Sequence, residues 1–363
     1  MEQKAADGHS REVELLARAG LIQLFKGERF TASGYEVTSK LVDLADSHGV
    51  TIHSLRRSLD REDLVRLNGP RPKSTFNVFL RRPVKQKADR IYFEPTEETE
   101  GWRDELSSFN DFLADHNVEV QVPDDLIRLW IDKLNSDEIH SGAPFCRPEV
   151  YRNAVYRVFN DAKRDDPRFD MGGRLAGGWW MYAPRKVRPY ITINGQPTIE
   201  RDFEACHPRM LYHERDRECI RDPYDVPEVS EFYRVAGLTA DECREAVKWI
   251  FKSLINGKRR PGVNEQPADV VLPSGMTPVE LSKIVEREHA CIRDAFWTGG
   301  GLRLMRPESD IAMGVVKKAL EQSFLALPLH DSYICEAIHK DELEAIMTSE
   351  YLKVFKHPPT FKS

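Results

Sequence analysis

The chain has 363 residues, 31% charged and 40% hydrophobic, with a formal net charge of −6, an ordinary composition with room for two or three cored domains. It contains no run of 18 apolar residues, and its polar start lacks a signal-peptide core, so neither a membrane span nor a leader is expected and a cytoplasmic location is. Six cysteines, at 146, 206, 219, 243, 291 and 335, are scattered without a CxxC pair, which argues against a zinc centre and for a reducing compartment.

From the start of the chain, residues 10–25 carry apolar side chains at helical spacing and predict a helix, and 37–45 a second with Gly49 as its stop. Residues 41–57 then have the helix, glycine turn and second helix of a helix-turn-helix, a unit used for reading DNA and equally for plain packing. Charge is uneven here: residues 1–90 hold 17 Lys and Arg against 12 Asp and Glu, and within 52–90 the ratio is 11 to 4. Residues 71–90 interleave Phe76 and Phe79 with Arg81, Arg82, Lys85, Lys87 and Arg90, a mixture of stacking and charge that suits a nucleic-acid strand, or else a solvated strand and linker.

An acidic, proline-containing stretch at 94–105 marks a boundary, and 103–165 reads as helical, with Val150 to Val158 included. Gly172-Gly173-Arg174-Leu175, followed by Gly177-Gly178-Trp179-Trp180, is too glycine-rich for a helix and would let backbone approach a ligand closely. Trp179 and Trp180 fit either base stacking or a core.

Next, Ile199 and Phe203 flank Asp202 in an extended segment, and the pattern beginning at Pro208 reads as a helix start. Thr239 and Glu242 form a capping box for a helix over 240–256, stopped at Gly257. Arg244, Lys248 and Lys252 fall at i, i+4 and i+8 on one of its faces. Thr277, Pro278 and Glu280 open another helix that ends before the Gly299-Gly300-Gly301 loop, and 309–323 is a further one. Two apolar runs hinged on His330-Asp331-Ser332 then outline a β-hairpin. If Asp202 and Asp331 stood about 4 Å apart, they would repel by roughly 4 kcal/mol at an effective dielectric near 20. Such a pair calls for divalent cations, as in two-metal phosphoryl transfer.

The segment Asp202-Phe203-x-x-x-His207-Pro208-Arg209-x-Leu211 resembles motif A of family A DNA polymerases. His330-Asp331-Ser332 resembles motif C, with the Ser found in single-subunit RNA polymerases, and Arg244 with Lys248 resembles the fingers helix, motif B. Gly173-Arg174-Leu175 ahead of Pro184, Arg185 and Arg188 is similar to the segment that precedes motif A, and Asp222-Pro223-Tyr224 is weakly similar to an Asp-x-Tyr of the RNA polymerases. The likeness covers roughly 170–340, and order and spacing agree throughout.

What the resemblance implies is an α+β fold: an antiparallel palm sheet with a helical fingers insertion, preceded by a mostly helical N-terminal module. The expected units are 1–95, basic with a candidate helix-turn-helix; 96–165, connecting or thumb-like; and 166–363, palm and fingers. By the same resemblance Asp202, Asp331 and the Phe203 carbonyl would hold two Mg²⁺ ions, with Mn²⁺ as a substitute. Arg244 and Lys248 would take the triphosphate of a dNTP or NTP, with Lys248 as the acid for departing pyrophosphate. Arg174, Arg209 and His330 would meet the primer-template, with Arg81, Arg82, Lys85 and Lys87 as further nucleic-acid contacts. The nucleotide pocket would also include Lys252, His207 and Asn256.

Departures from the family pattern bear on specificity. His207 stands where those DNA polymerases carry a Glu, and Lys252 and Asn256 where they carry an aromatic residue or Met and a Tyr. A looser barrier to NTPs is the expectation. The two aspartates lie 129 positions apart, and 363 residues leave no room for an exonuclease domain, so proofreading is not expected, and the thumb would come from the N-terminal module or a partner subunit. A DNA polymerase is favoured by Arg174 and Arg209, and an RNA polymerase or primase by Ser332 and the Glu lost at 207. A non-catalytic nucleic-acid binder is disfavoured by retention of both aspartates.

Overall fold

The computed structural model describes residues 11–25, 34–48, 59–77, 82–84, 86–141, 153–262 and 265–362. In chain order its first elements are α1 (Arg11–Arg18), β1 (Ile22–Phe25), β2 (Gly34–Val37), α2 (Ser39–Ser47), β3 (Val65–Asn68), β4 (Thr75–Asn77), β5 (Arg82–Val84) and β6 (Arg90–Ile91). The middle of the chain adds α3 (Glu97–Ala114), β7 (Val118–Val120), α4 (Asp124–Ser141), β8 (Tyr156–Phe159), β9 (Gly172–Ala176), β10 (Ile191–Ile193) and β11 (Gln196–Asp202). Then come α5 (Cys206–His213), α6 (Pro227–Val235), α7 (Ala240–Asn256), α8 (Pro278–Glu288), α9 (Gly301–Glu321), β12 (Leu327–Leu329), β13 (Ser332–Glu336) and α10 (Lys340–Val354). Among the described residues no helix is long and apolar enough to cross a membrane.

The fold is mixed α and β with antiparallel sheets. A five-stranded sheet in the order β12-β13-β11-β10-β7 is antiparallel at every pairing. A second sheet, β6-β3-β8-β9, contains one parallel pair, β3 with β8. This second sheet crosses the boundaries expected at 95 and 165, because β3 pairs with β8 across the first and β8 pairs with β9 across the second.

Three expectations for the first half are corrected. The helix read over 10–25 ends at Arg18, where Gly20 takes a φ of +71°, and β1 then pairs with β2. The acidic stretch at 94–105, read as a boundary, enters helix α3: Thr96 caps it, and Arg61 donates to Glu100 and Asp104 on it. The helical reading of 150–158, of which 150–152 lie outside the described residues, gives way to strand β8 at its end, and the described part of the N-terminal region carries β1 to β6 beside α1 and α2. The second helix of the candidate helix-turn-helix, with Arg81 and Lys85, lies outside the described residues.

α9 ties the two sheets together. Leu304, Ile311, Ala312, Val315 and Ala319 bury one stripe of it, and it packs against β9 and α10. Gly173 permits the close approach: at φ +86° a Cβ would stand 2.6 Å from Ser309 Oγ. The wholly buried Arg157 locks the contact by donating to Gly173 O at 2.9 Å, Ser309 Oγ at 2.8 Å and Asp310 at 2.6 Å, with its guanidinium over Trp102.

Candidate active site

β11 delivers Asp202, and the β12–β13 turn delivers Asp331. Asp202 faces Ser332 across the ladder, and the Phe203 amide donates to the Asp331 carbonyl at 3.1 Å. The hairpin turn has two residues, of which His330 takes φ +59°, and Ala205, just past Asp202, takes φ +47°. Left-handed backbone at a non-glycine residue is sparsely populated and gathers at functional sites. Here it flanks both carboxylates.

Asp202, Phe203 and Asp331 line one cleft of about 300 Å³. Burial, and after it the charge of Asp331, pushes the Asp202 carboxyl up to about 7. Burial likewise raises Asp331, with Glu308 the next cause. Buried carboxylates raised by neighbouring anions form a donor set that a divalent cation would relieve. Among the described residues no three His, Cys, Asp or Glu side chains group as a ready metal cage. Two carboxylates completed by water and phosphate are the donor set Mg²⁺ usually takes, so the residues fit that ion.

The facing wall is α7. Its capping box is as expected, with Thr239 Oγ1 accepting from the Glu242 amide and Glu242 from the Thr239 amide. Cys243, Val247, Ile250 and Leu254 bury one face, and the cleft receives Arg244, Lys248, Lys252 and Asn256 from the other. Arg244 donates to Asp222 at 2.8 Å and lies over Tyr224, while Lys248 is half exposed with Glu245 at 3.4 Å. Asn256 abuts the start of α9, where a Cβ on Gly301 would come within 1.8 Å of its Oδ1.

Arg174 and His207 reach the same cleft, and both are held by a residue that the sequence did not single out. Glu308 of α9, 3% exposed, accepts from Arg174 at 2.7 Å and pairs with His207 Nε2 at 2.5 Å. Burial alone would raise this carboxyl, but the His207 hydrogen bond and the charges of His207 and Arg174 outweigh it and bring it down to about 2. An anionic carboxylate only accepts, so Nε2 carries the proton. A signal for Glu308 was present: it sits in register with Leu304, Ile311, Ala312 and Val315, an acid in an apolar stripe. Lys362, whose ammonium lies 3.9 Å from Asp202, was missed as well, and no local pattern marks it.

Other expected contacts fall elsewhere. Arg209 turns inward, 4% exposed, and its guanidinium is taken up by the Glu204 carbonyl and carboxylate and the Cys219 carbonyl. It cannot also hold a primer-template. Trp179 and Trp180 are core residues, the latter donating to the Pro328 carbonyl at 2.9 Å. Cys206 is buried, which lifts its thiol well above the usual range and rules out a ready nucleophile. His330 is exposed on its turn, Arg82 lies on β5, and Lys87 is exposed.

Comparison with protein-family models and with curated proteins returns no match to this chain.

Proposed function

We propose that the chain is a template-directed nucleotidyltransferase, a compact relative of family A DNA polymerases. The observation that carries this reading is the meeting, in one cleft, of carboxylates from two adjacent strand ends and a cationic helix face drawn from more than 40 positions away in sequence. Bound magnesium, or manganese in its place, would supply charge neutralisation for an attacking hydroxyl and a leaving pyrophosphate. The chain's own residues divide the remaining work by charge. Asp202 and Asp331 hold the cation, while Lys248 and Arg244 draw in phosphates, with Arg244 exchanging its Asp222 partner for the substrate.

A second reading, that NTPs are used, draws on the groups at the side of the cleft. His207 is held by Glu308, and the short Asn256 side chain is packed at the start of α9. Positions 207 and 256 thus carry neither the Glu nor the Tyr with which the resembled DNA polymerases exclude a 2′-hydroxyl. Primer extension with dNTPs and NTPs supplied separately, on DNA and on RNA templates, tests both readings. Product from either sugar supports the first, and product from NTPs supports the second. No product with any template, primer or metal contradicts both.

A further inference from the structure

Residues 360–362 run back along the end of β11. The Glu204 amide donates to the Thr360 carbonyl at 2.7 Å and the Lys362 amide to the Asp202 carbonyl at 3.0 Å, pairing Phe203 with Phe361 in a short antiparallel bridge. The two rings stack with centroids 5.7 Å apart, and Arg201 lies over Phe361 while donating to the Lys362 carbonyl at 3.2 Å. Backbone pairing, ring stacking and a guanidinium thus hold three residues whose last side chain enters the cleft. There the Lys362 ammonium stands 3.9 Å from Asp202 Oδ2.

We propose that this segment is part of the cation site and that Lys362 is a positioning residue for Asp202, standing in for the divalent cation and exchanging with it. A cation bound to Asp202 would lie about 2.1 Å from a carboxylate oxygen. With the ion on Oδ2, the two positive centres would then be at most about 6 Å apart, close enough to repel appreciably across a half-open cleft. The ammonium therefore keeps the aspartate oriented before loading and swings away as the ion enters. Its stem is 42% exposed, so it has room to move. Of the α7 cations, Arg244 and Lys248 already have carboxylate neighbours in Asp222 and Glu245.

This inference rests on the reading of Asp202 as a cation ligand, and the test separates the two. Mn²⁺ binding to the full chain, without nucleotide, is measured by calorimetry and by the resonance signal of free Mn²⁺. Lys362→Met keeps the stem and removes the charge. It should bind Mn²⁺ about fivefold more tightly than wild type, the scale of the ammonium–carboxylate attraction at 3.9 Å that the wild type gives up on loading, in a water-like dielectric. Lys362→Arg should match wild type, and the gap should shrink at 1 M salt, where screening reaches down to about 3 Å. Equal affinity in Lys362→Met and wild type would overturn the role of Lys362 while leaving the cation site standing. Equal affinity in Asp202→Asn and wild type would overturn the cation site itself.

Discussion

The amide of Phe203 donates to the carbonyl of Asp331 at 3.1 Å, so the strand that ends in one carboxylate is joined to the turn that carries the other. The backbone positions of the two aspartates are therefore tied together by a sheet. A rigid anionic pair costs stability in the absence of its cation.

That cost is measurable. Asp202→Asn removes a charge that burial and Asp331 both oppose, and it should stabilise the cation-free chain by about 1 to 2 kcal/mol at pH 8, a figure reduced for partial exposure. Added Mg²⁺ should raise the Tm of wild type and leave the variant's Tm unmoved. A variant less stable than wild type under the same conditions would mean that the pair is not strained.

The Glu308 pairings predict the opposite sign. Glu308→Gln leaves Arg174 and His207 without their anion in a buried setting, and breaking such a pairing should cost about 3 kcal/mol. Denaturant unfolding checks this, and a loss below about 1 kcal/mol would make the pairing incidental.

Among the α7 cations, Lys248→Ala should raise the KM for nucleotide and lower kcat, whereas Lys252→Ala should do less, because the Arg244–Lys248 spacing is the one that resembles a triphosphate-binding pair. Steady-state kinetics on one template decides it. Unchanged constants in Lys248→Ala would move the triphosphate elsewhere.

A pH effect belongs to His289. It is 4% exposed, with Nδ1 at 2.7 Å from the Tyr212 hydroxyl, and burial pushes its imidazole down to about 4. A depressed histidine binds its proton more readily when unfolded. Its contribution to stability is thus complete above about pH 6.5 and is lost as pH falls towards 4. His289→Gln cannot take up that proton, so its stability deficit against wild type should narrow as pH drops through this window. Thermal melts from pH 7.5 to 4 check it, and a deficit constant with pH would contradict it.

For the basic stretch, neutralising Arg81, Arg82, Lys85 and Lys87 together should weaken nucleic-acid binding. It should also flatten the log-log salt dependence by about 0.7 to 0.9 for each phosphate that the variant leaves unneutralised. An unaltered slope would leave the stretch without a role in binding.

Where the signal is local, the sequence was legible. The capping boxes at Thr239 and Thr277 and the hairpin at His330-Asp331-Ser332 stand as read, because each is decided by residues within four positions of one another. β8 was not legible: its apolar run suits a helix equally well, and its partner β3 lies about 90 positions earlier. Arg209 carried a motif match, yet its surroundings, and not its spacing, turned it into the core. Lys362 reaches Asp202 only through the return of residues 360–362 along β11, across 160 positions of sequence.

The central claim is that Asp202 and Asp331 together hold the cation at which nucleotides are joined. The most direct measurement is the single-turnover rate of primer extension with Mg²⁺ for wild type, Asp202→Asn and Asp331→Asn, each shown folded by its melting curve. The account predicts extension by wild type and a rate reduced at least about a thousandfold in both variants, roughly 4 kcal/mol of lost transition-state stabilisation. Extension by either folded variant at close to the wild-type rate would contradict it.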